Sequence, residues 1–175
     1  MINIRVEQEL DYKRVEEAIE NAFLNAEFTD NQEHNLVRKL RKSSEFIPEL
    51  SLVAEIDNKI VGHILFTKVN IESNEGSFES LALAPLSVLP DHQNKGIGRA
   101  LINYGLEIAK NLGYESVIVL GHENYYTKFG FKKASEFDVK PPFEVPDEAF
   151  MALELNENGL KNVSGIVKYS NAFFE

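Results

Sequence analysis

Near the middle of this sequence, an apolar strand, a polar glycine loop and an amphipathic helix follow one another without interruption. The strand reads LALAPLSVLP, the loop reads DHQNKGIG, and the helix continues as RALINYGLEIAKNL. The short apolar run VIVL follows the helix and reads as a strand buried on both faces. Together these segments predict a β-α-β unit around residues 80–120, and therefore a sheet covered by helices.

Hydrophobic periodicity predicts the other elements. Alternation predicts a strand at residues 2–7, and helical spacing predicts one helix that Asp11 caps and a second at Glu33 to Lys42. Two β-rich runs around the turn at 57–59 predict a hairpin. Further strands are predicted at MALELN and SGIVKYS, and NYYTKFGF predicts a helical turn ended by Gly130. The fold class is α/β (α+β), with a mixed, mostly antiparallel sheet and helices on both faces.

The helix after the glycine loop carries apolar residues at a spacing that makes one stripe. We predict that this stripe faces the core through Ile97, Ala100, Leu101, Tyr104, Ile108 and Leu112. Gly113 is placed to end the helix.

Composition limits the kinds of partner. A chain of 175 residues with 43% hydrophobic residues suits one domain, and the absence of cysteine excludes disulfides and thiolate catalysis. The four histidines are scattered without metal-ligand spacing, so no metal is expected. A net charge of −10 argues against a nucleic-acid partner and favours a cationic small molecule. No membrane span or signal peptide is evident, which predicts a cytoplasmic protein.

Three kinds of phosphate-binding loop compete for QNKGIGRAL. A P-loop requires Gly-Lys-Ser/Thr, whereas Arg99 follows Gly98, and a dinucleotide fingerprint requires a glycine where Leu101 stands. The third kind fits: Gln93-x-x-Gly96-x-Gly98 resembles the acyl-CoA-binding signature of the GCN5-related N-acetyltransferases (GNAT). Such a loop can bind a phosphate, because glycines let an anion approach the backbone closely and the start of a helix offers unpaired N–H groups. A plain strand–helix turn without a ligand stays open on this stretch alone.

Pro85 strengthens the resemblance, because a proline inside a strand marks a bulge or an edge. A bulge would splay the fourth strand from the fifth and leave backbone groups free. In the GNAT family such a splay receives the pantetheine arm as an added strand. The resemblance therefore implies acetyl-CoA as co-substrate, with cofactor-binding positions at Leu86, Ser87, Val88, Gln93, Asn94, Lys95, Gly96, Ile97, Gly98 and Arg99.

NYYTKFGF completes the resemblance. The acetyltransferases commonly carry a tyrosine four residues before a Gly-Phe pair, and Tyr126 stands in that relation to Gly130. The family role of this tyrosine is general acid, which protonates the departing CoA thiolate. Tyr125 and Tyr126 could also be packing aromatics. The resemblance covers residues 2–155 of a single domain at 1–175, with 156–175 as an extension, and the tail resembles bacterial acetyltransferases of unassigned substrate.

The chain also departs from the family. Some relatives carry a general base on the strand before the loop, where this chain has Ala82 and Ala84. Water, Glu79 or another residue must then act as base, or the amine binds neutral. Four residues are candidates for the substrate side: Glu79, His122, Asn124 and Glu33. His122 could relay a proton or line the pocket, and Asn124 could substitute for an asparagine of the family. Glu33 could face the substrate cleft or only cap its helix.

Two functions follow from this reading. The first is an N-acetyltransferase in which a primary amine, on a small molecule or a peptide, attacks acetyl-CoA directly in a ternary complex, with no metal, nucleic acid or membrane. The alternative is a CoA-binding or peptide-binding regulatory module with weak turnover, which the missing base motivates. The aromatic C-terminal segment GIVKYSNAFFE could pack on a second subunit in a homodimer or on the protein's own sheet.

Overall fold

A nine-stranded sheet forms the centre of the molecule, whose computed structural model describes residues 1–27 and 29–175. The strands are β1 (Asn3–Val6), β2 (Phe46–Ile56), β3 (Lys59–Ser73), β4 (Gly76–Val88), β5 (Ser116–Leu120), β6 (Lys132–Lys133), β7 (Val139–Lys140), β8 (Phe150–Glu154) and β9 (Gly165–Lys168). Within the described residues the α-helices are α1 (Tyr12–Phe23), α2 (Glu33–Arg41), α3 (Ile97–Asn111) and α4 (Glu123–Tyr126).

The strand order is β1-β2-β3-β4-β5-β8-β6, and β9 pairs with both β3 and β7. All pairs are antiparallel except β4 with β5 and β7 with β9. The predicted mixed, mostly antiparallel sheet is therefore confirmed. The β2–β3 hairpin turns at Asp57 and Asn58, both with positive φ, as a two-residue turn of the primed kind requires.

Two layers cover the sheet, as predicted. One face carries α3 over a large apolar cluster drawn from β2 to β5 and β8. The opposite face carries α1 and α2 at one end and the segment around residues 134–169 at the other. In the part of the chain that the structure describes, no helix is long and apolar enough to cross a membrane.

The buried face of α3 differs from the predicted stripe. Ile97 and Leu101 are buried, but Tyr104 is 47% and Leu112 is 43% exposed, so their assignment to the core was wrong. The helix instead approaches the sheet at Gly105, where an added Cβ would lie 2.3 Å from the ring of Phe66. Close contact at this glycine rotates the helix, because the Phe66 ring fits only where no side chain projects. The residues of α3 that are fully buried are Ile97, Leu101, Ile102, Gly105 and Ala109.

Asp11 occupies the N-cap position of α1 as predicted, but its carboxylate bonds elsewhere. It accepts hydrogen bonds from Arg5 at 2.7 Å, from Arg14 at 2.7 Å and from the N–H of Gln8 at 2.8 Å. The Arg5 guanidinium in particular holds the pKa of Asp11 well below its usual range. The residue therefore ties β1 to α1 through ion pairs and does not cap the helix N–H groups.

The predicted splay between β4 and β5 is present. The two strands pair in parallel only at Leu81–Val117 and Ala82–Ile118, after which β4 continues without β5. The register of β4 against β3 shifts at the same point, and Pro85, joined to Ala84 by a cis peptide, lies in this bulge. The segment of β4 beyond Pro85 therefore keeps β3 on one edge and leaves its other edge open.

Candidate active site

The open edge of β4 presents the backbone of Leu86 and Val88. The N–H of Leu89 donates to the carbonyl of Val61 in β3 at 2.9 Å. Because backbone groups alternate in direction along a strand, Ser87 also directs its backbone to β3, whereas Leu86 and Val88 direct theirs to the open side. The Gln93 side chain donates to the Val88 carbonyl at 3.1 Å. Gln93 thus fixes the loop against the strand, and the peptide groups of Leu86 remain open to a ligand.

A groove of about 520 Å³ lies where this open edge meets the start of α3. Eight of the ten residues predicted to bind the cofactor line it. Ser87 is buried on the other side of β4, and Lys95 is exposed outside the groove. The lining residues are Leu86, Val88, His92, Gln93, Asn94, Gly96, Ile97, Gly98, Arg99 and Tyr125.

The first residues of α3 line this groove at the end of the helix where backbone N–H groups are unpaired. Asn94 and Gly96 adopt left-handed conformations, with φ of 61° and 84°, and turn the chain into the helix. The first intrahelical bond runs from the N–H of Ala100 to the carbonyl of Gly96 at 3.0 Å. The N–H groups of the residues between them have no partner within the helix, and the helix dipole makes this end positive. Such a terminus is suited to a phosphate group.

Tyr125 lines the groove, although it is not among the predicted site residues. A Cβ on Gly98 would lie 2.7 Å from the Tyr125 hydroxyl, so this hydroxyl stands directly over the start of α3. Burial raises the pKa of Tyr125, and the nearby Arg99 charge opposes that rise. The phenol is therefore a neutral hydrogen-bond donor where the groove meets the start of α3. In the sequence, only its position next to Tyr126 pointed to a role for Tyr125 at the site.

Tyr126 lies beside Tyr125 but in the apolar cluster. It is 9% exposed, and its ring packs edge-on against Tyr125 at 5.0 Å and against Phe131 at 5.7 Å between centroids. The ring also lies against Gly121 at the end of β5, where a Cβ would come within 2.5 Å of it. Burial raises the pKa of Tyr126 well above its usual value, so the phenol stays protonated. Of the two tyrosines, only Tyr125 lines the groove within the described residues.

The four substrate-side candidates lie outside this groove. Glu79 is exposed in a cleft with Lys68 on the β3–β4 hairpin. Glu33 lies in another cleft against the C-terminal residues, and its carboxylate accepts the Thr29 hydroxyl at 2.6 Å. His122 and Asn124 are exposed at the start of α4. Within the described residues, none of the four lines the groove.

Metal chemistry has no evident site in the described part of the chain. Residues 1–27 and 29–175 contain no group of three or more histidine, aspartate or glutamate side chains that could hold a metal ion.

Comparisons with known proteins agree with this geometry. The model of the Acetyltransferase (GNAT) family matches residues 14–131. The uncharacterised N-acetyltransferase YjhQ of Escherichia coli K12 is 38% identical over 122 residues, which cover 69% of this chain and 67% of YjhQ.

Two further relatives span nearly the whole chain. The uncharacterised N-acetyltransferase YhbS of Escherichia coli K12 is 30% identical over 171 residues, 97% of each chain. The crystal structure of YhbS in complex with CoA superposes with a TM-score of 0.89 at 27% identity, covering 99% of this chain and 92% of YhbS. A GNAT family acetyltransferase from Brucella melitensis in complex with acetyl-CoA gives a TM-score of 0.81 at 31% identity, covering 99% and 98%.

Proposed function

This chain belongs to the GNAT family of acetyltransferases, and on that premise we propose that it moves an acetyl group from acetyl-CoA to a primary amine. The observation that carries the proposal is the groove in which the open edge of β4 meets the positive end of α3. Two similar proteins have been crystallised with CoA and with acetyl-CoA, which supports the same ligand class for this groove.

The groove offers a separate set of groups to each part of acyl-CoA. The free N–H groups of Ile97, Gly98 and Arg99 would donate to the pyrophosphate oxygens, and the Tyr125 hydroxyl stands next to them. The open peptide groups of Leu86 and the N–H of Val88 would pair with the pantetheine amides, as an added strand does at a sheet edge. This arrangement holds the thioester near the point where β4 and β5 diverge.

We propose Tyr126 as the general acid for the transfer. The amine nitrogen attacks the thioester carbonyl, the C–N bond forms, the C–S bond breaks, and the departing thiolate takes the phenolic proton. The nitrogen loses its extra proton to solvent, and the phenolate regains one from solvent. The position of Tyr126 before Gly130-Phe131, its place beside the end of β5 and its protonated state support this role. Orientation and backbone donors would supply the remaining catalysis.

At the two β4 positions where some relatives carry a general base, this chain has Ala82 and Ala84, whose methyl groups cannot accept a proton, and Glu79 of the same strand lies in a separate cleft. We therefore propose that the amine enters in its neutral form. The rate should then rise with pH toward the pKa of the amine. The same observation favours the second candidate, a CoA-binding module with weak turnover.

Two measurements test the proposal and separate the candidates. Isothermal titration with acetyl-CoA should give heat, and adding a panel of amines should release free thiol. Binding without thiol release on any amine would favour the regulatory module. Neither heat nor a thermal shift at millimolar acetyl-CoA would refute both candidates.

A further inference from the structure

A row of buried, hydrogen-bonded polar side chains runs across neighbouring strands on the sheet face opposite α3. Glu7, which follows β1, pairs with Arg41 of α2 at 2.6 Å. The Ser51 hydroxyl of β2 donates to Glu7 Oε1 at 2.8 Å, and its oxygen lies 3.0 Å from His63 Nε2 of β3. The side chains of Glu7 and His63 are almost completely buried. The groove does not use these groups, so their arrangement needs its own explanation.

The hydrogen bonds of Ser51 determine the tautomer of His63. Ser51 has one hydroxyl proton, and it points to the Glu7 carboxylate. The Ser51 oxygen must therefore accept a hydrogen bond from the Nε2–H group of His63. Burial, with a smaller contribution from the Arg41 charge, lowers the pKa of His63 to about 3, so the ring is neutral. A neutral ring with its proton on Nε2 has a lone pair on Nδ1, which is then an acceptor.

Ser87 stands opposite this acceptor. His63 and Ser87 are direct partners in the antiparallel pairing of β3 with β4. Side chains at directly paired positions share a face and have Cβ atoms roughly 4.5–5.5 Å apart. Among residues 1–27 and 29–175, neither His63 Nδ1 nor the buried Ser87 Oγ has a hydrogen-bond partner. An unpaired donor and an unpaired acceptor therefore lie side by side, and buried polar groups in native proteins are nearly always paired.

We propose that the Ser87 hydroxyl donates to His63 Nδ1, directly or through one buried water, and that His63 is thereby a positioning residue for the cofactor-binding segment of β4. This inference rests on the proposed function, because Ser87 lies between Leu86 and Val88, whose open peptide groups are assigned to acyl-CoA. Beyond Pro85 this segment has no β5 beside it. The link to His63, Ser51 and the Glu7–Arg41 pair would hold its peptide groups in the orientation that a ligand strand needs.

The hydrogen bond itself can be tested without any cofactor. Long-range ¹⁵N–¹H spectra of histidine-labelled protein should show His63 as the neutral Nε2–H tautomer, with its signals identified by their loss in His63→Gln. Ser87→Ala should shift the Nδ1 signal and leave the Nε2 signal in place. An Nδ1–H tautomer, or an unmoved Nδ1 signal in Ser87→Ala, would overturn the link. A crystal structure separates its two forms, as a water peak between the atoms or as an Oγ–Nδ1 contact within about 3.2 Å.

The positioning role is tested by acetyl-CoA affinity against turnover. Ser87→Ala should raise the Kd and KM for acetyl-CoA about tenfold, equivalent to about 1.4 kcal/mol, and change kcat less than about twofold. Thr67→Val is the matched control, because Thr67 Oγ1 is also buried without a partner among the described residues but lies opposite Ala82, before the open segment. This control should leave the Kd unchanged.

His63 variants complete the test. His63→Asn, which places an acceptor near the former Nδ1, should retain more cofactor affinity than His63→Gln. Equal Kd values for Ser87→Ala, Thr67→Val and the parent protein would refute the positioning role. If the parent protein does not bind acetyl-CoA at all, the proposed function fails, while the spectra still decide whether the link exists.

Discussion

Replacing Gly98 by alanine would separate what the start of α3 contributes to folding from what it contributes to cofactor binding. Gly98 is the second residue of the helix, and an added Cβ would lie 2.7 Å from the Tyr125 hydroxyl. The next nearest atoms, on Leu86 and on the Tyr125 ring, lie at 3.9 Å. The substitution therefore creates one clash, and that clash involves a single oxygen atom.

The two effects on stability partly cancel. Alanine is favoured over glycine within a helix by about 0.5–1 kcal/mol. Overpacking against Tyr125 costs about 1–3 kcal/mol, toward the lower end because Tyr125 is half-buried and can move. We therefore expect a net loss of about 0–2 kcal/mol in the free energy of unfolding.

The effect on binding should be larger. The new methyl group would stand where a phosphate approaches the helix N–H groups, and a hydrogen bond to a charged group contributes about 1.5–3 kcal/mol. The Kd for acetyl-CoA should then rise about 10- to 150-fold. Isothermal titration measures the Kd, and urea unfolding measures the stability.

The double variant Gly98→Ala/Tyr125→Phe provides the decisive comparison. Removing the hydroxyl relieves the 2.7 Å contact, so stability should return to that of Tyr125→Phe alone or exceed it. The methyl group remains in the groove, so acetyl-CoA affinity should stay low. Parental acetyl-CoA affinity in Gly98→Ala would refute the assignment of the phosphate site to the start of α3.

The remaining predictions concern the proposed acid, the core and pH. Tyr126→Phe should lower kcat about 10²- to 10⁴-fold with little change in the Kd for acetyl-CoA, and unchanged turnover would remove its role. Gly105→Ala should destabilise the fold by about 1–3 kcal/mol in urea, because its Cβ would meet Phe66 at 2.3 Å, and Phe66→Leu should restore part of that loss. The pKa of His63 falls to about 3 on folding, so the unfolded chain binds a proton that the folded protein does not. The free energy of unfolding should therefore decrease by up to about 1.4 kcal/mol per pH unit as pH falls from about 6.5 to about 4.5, above the range in which the carboxyl groups of the unfolded chain take up protons. His63→Gln should remove that slope, and an equal slope in the variant would contradict this account.

Local patterns predicted most of the fold because they depend on neighbouring residues. Two β-rich runs predicted the hairpin with a turn at residues 57–59; the structure narrows that turn to Asp57 and Asn58, the two residues with positive φ, and Lys59 begins β3. Pro85 predicted the splay for a similar reason, because a residue without an N–H cannot extend a ladder. Eight of the ten residues assigned to the cofactor line one groove: six lie within residues 93–99, and Leu86 and Val88 lie on β4 just before them.

Local patterns did not predict features that depend on contacts between different elements of the fold. The apolar stripe of α3 was assigned one face, but Phe66 of β3 packs on Gly105 and rotates the helix, which leaves Tyr104 exposed. Glu33 and Glu79 carry suitable chemistry, yet each lies in a cleft of its own. The sequence shows whether a side chain is apolar or charged, but it does not show which element or cleft that side chain contacts.

The amino-acid pattern alone predicted the order of the helices and of the seven longer strands, the glycine loop at the start of α3 and the bulge at Pro85, because each follows from the conformational limits of a few adjacent residues. It did not predict the two-residue strands β6 and β7. The position of the Tyr125 hydroxyl over Gly98 and the pairing of His63 with Ser87 are seen only in the folded chain. These contacts depend on the strand register and on the position of α4 relative to α3. They join residues that are distant in the sequence, so no local pattern can predict them.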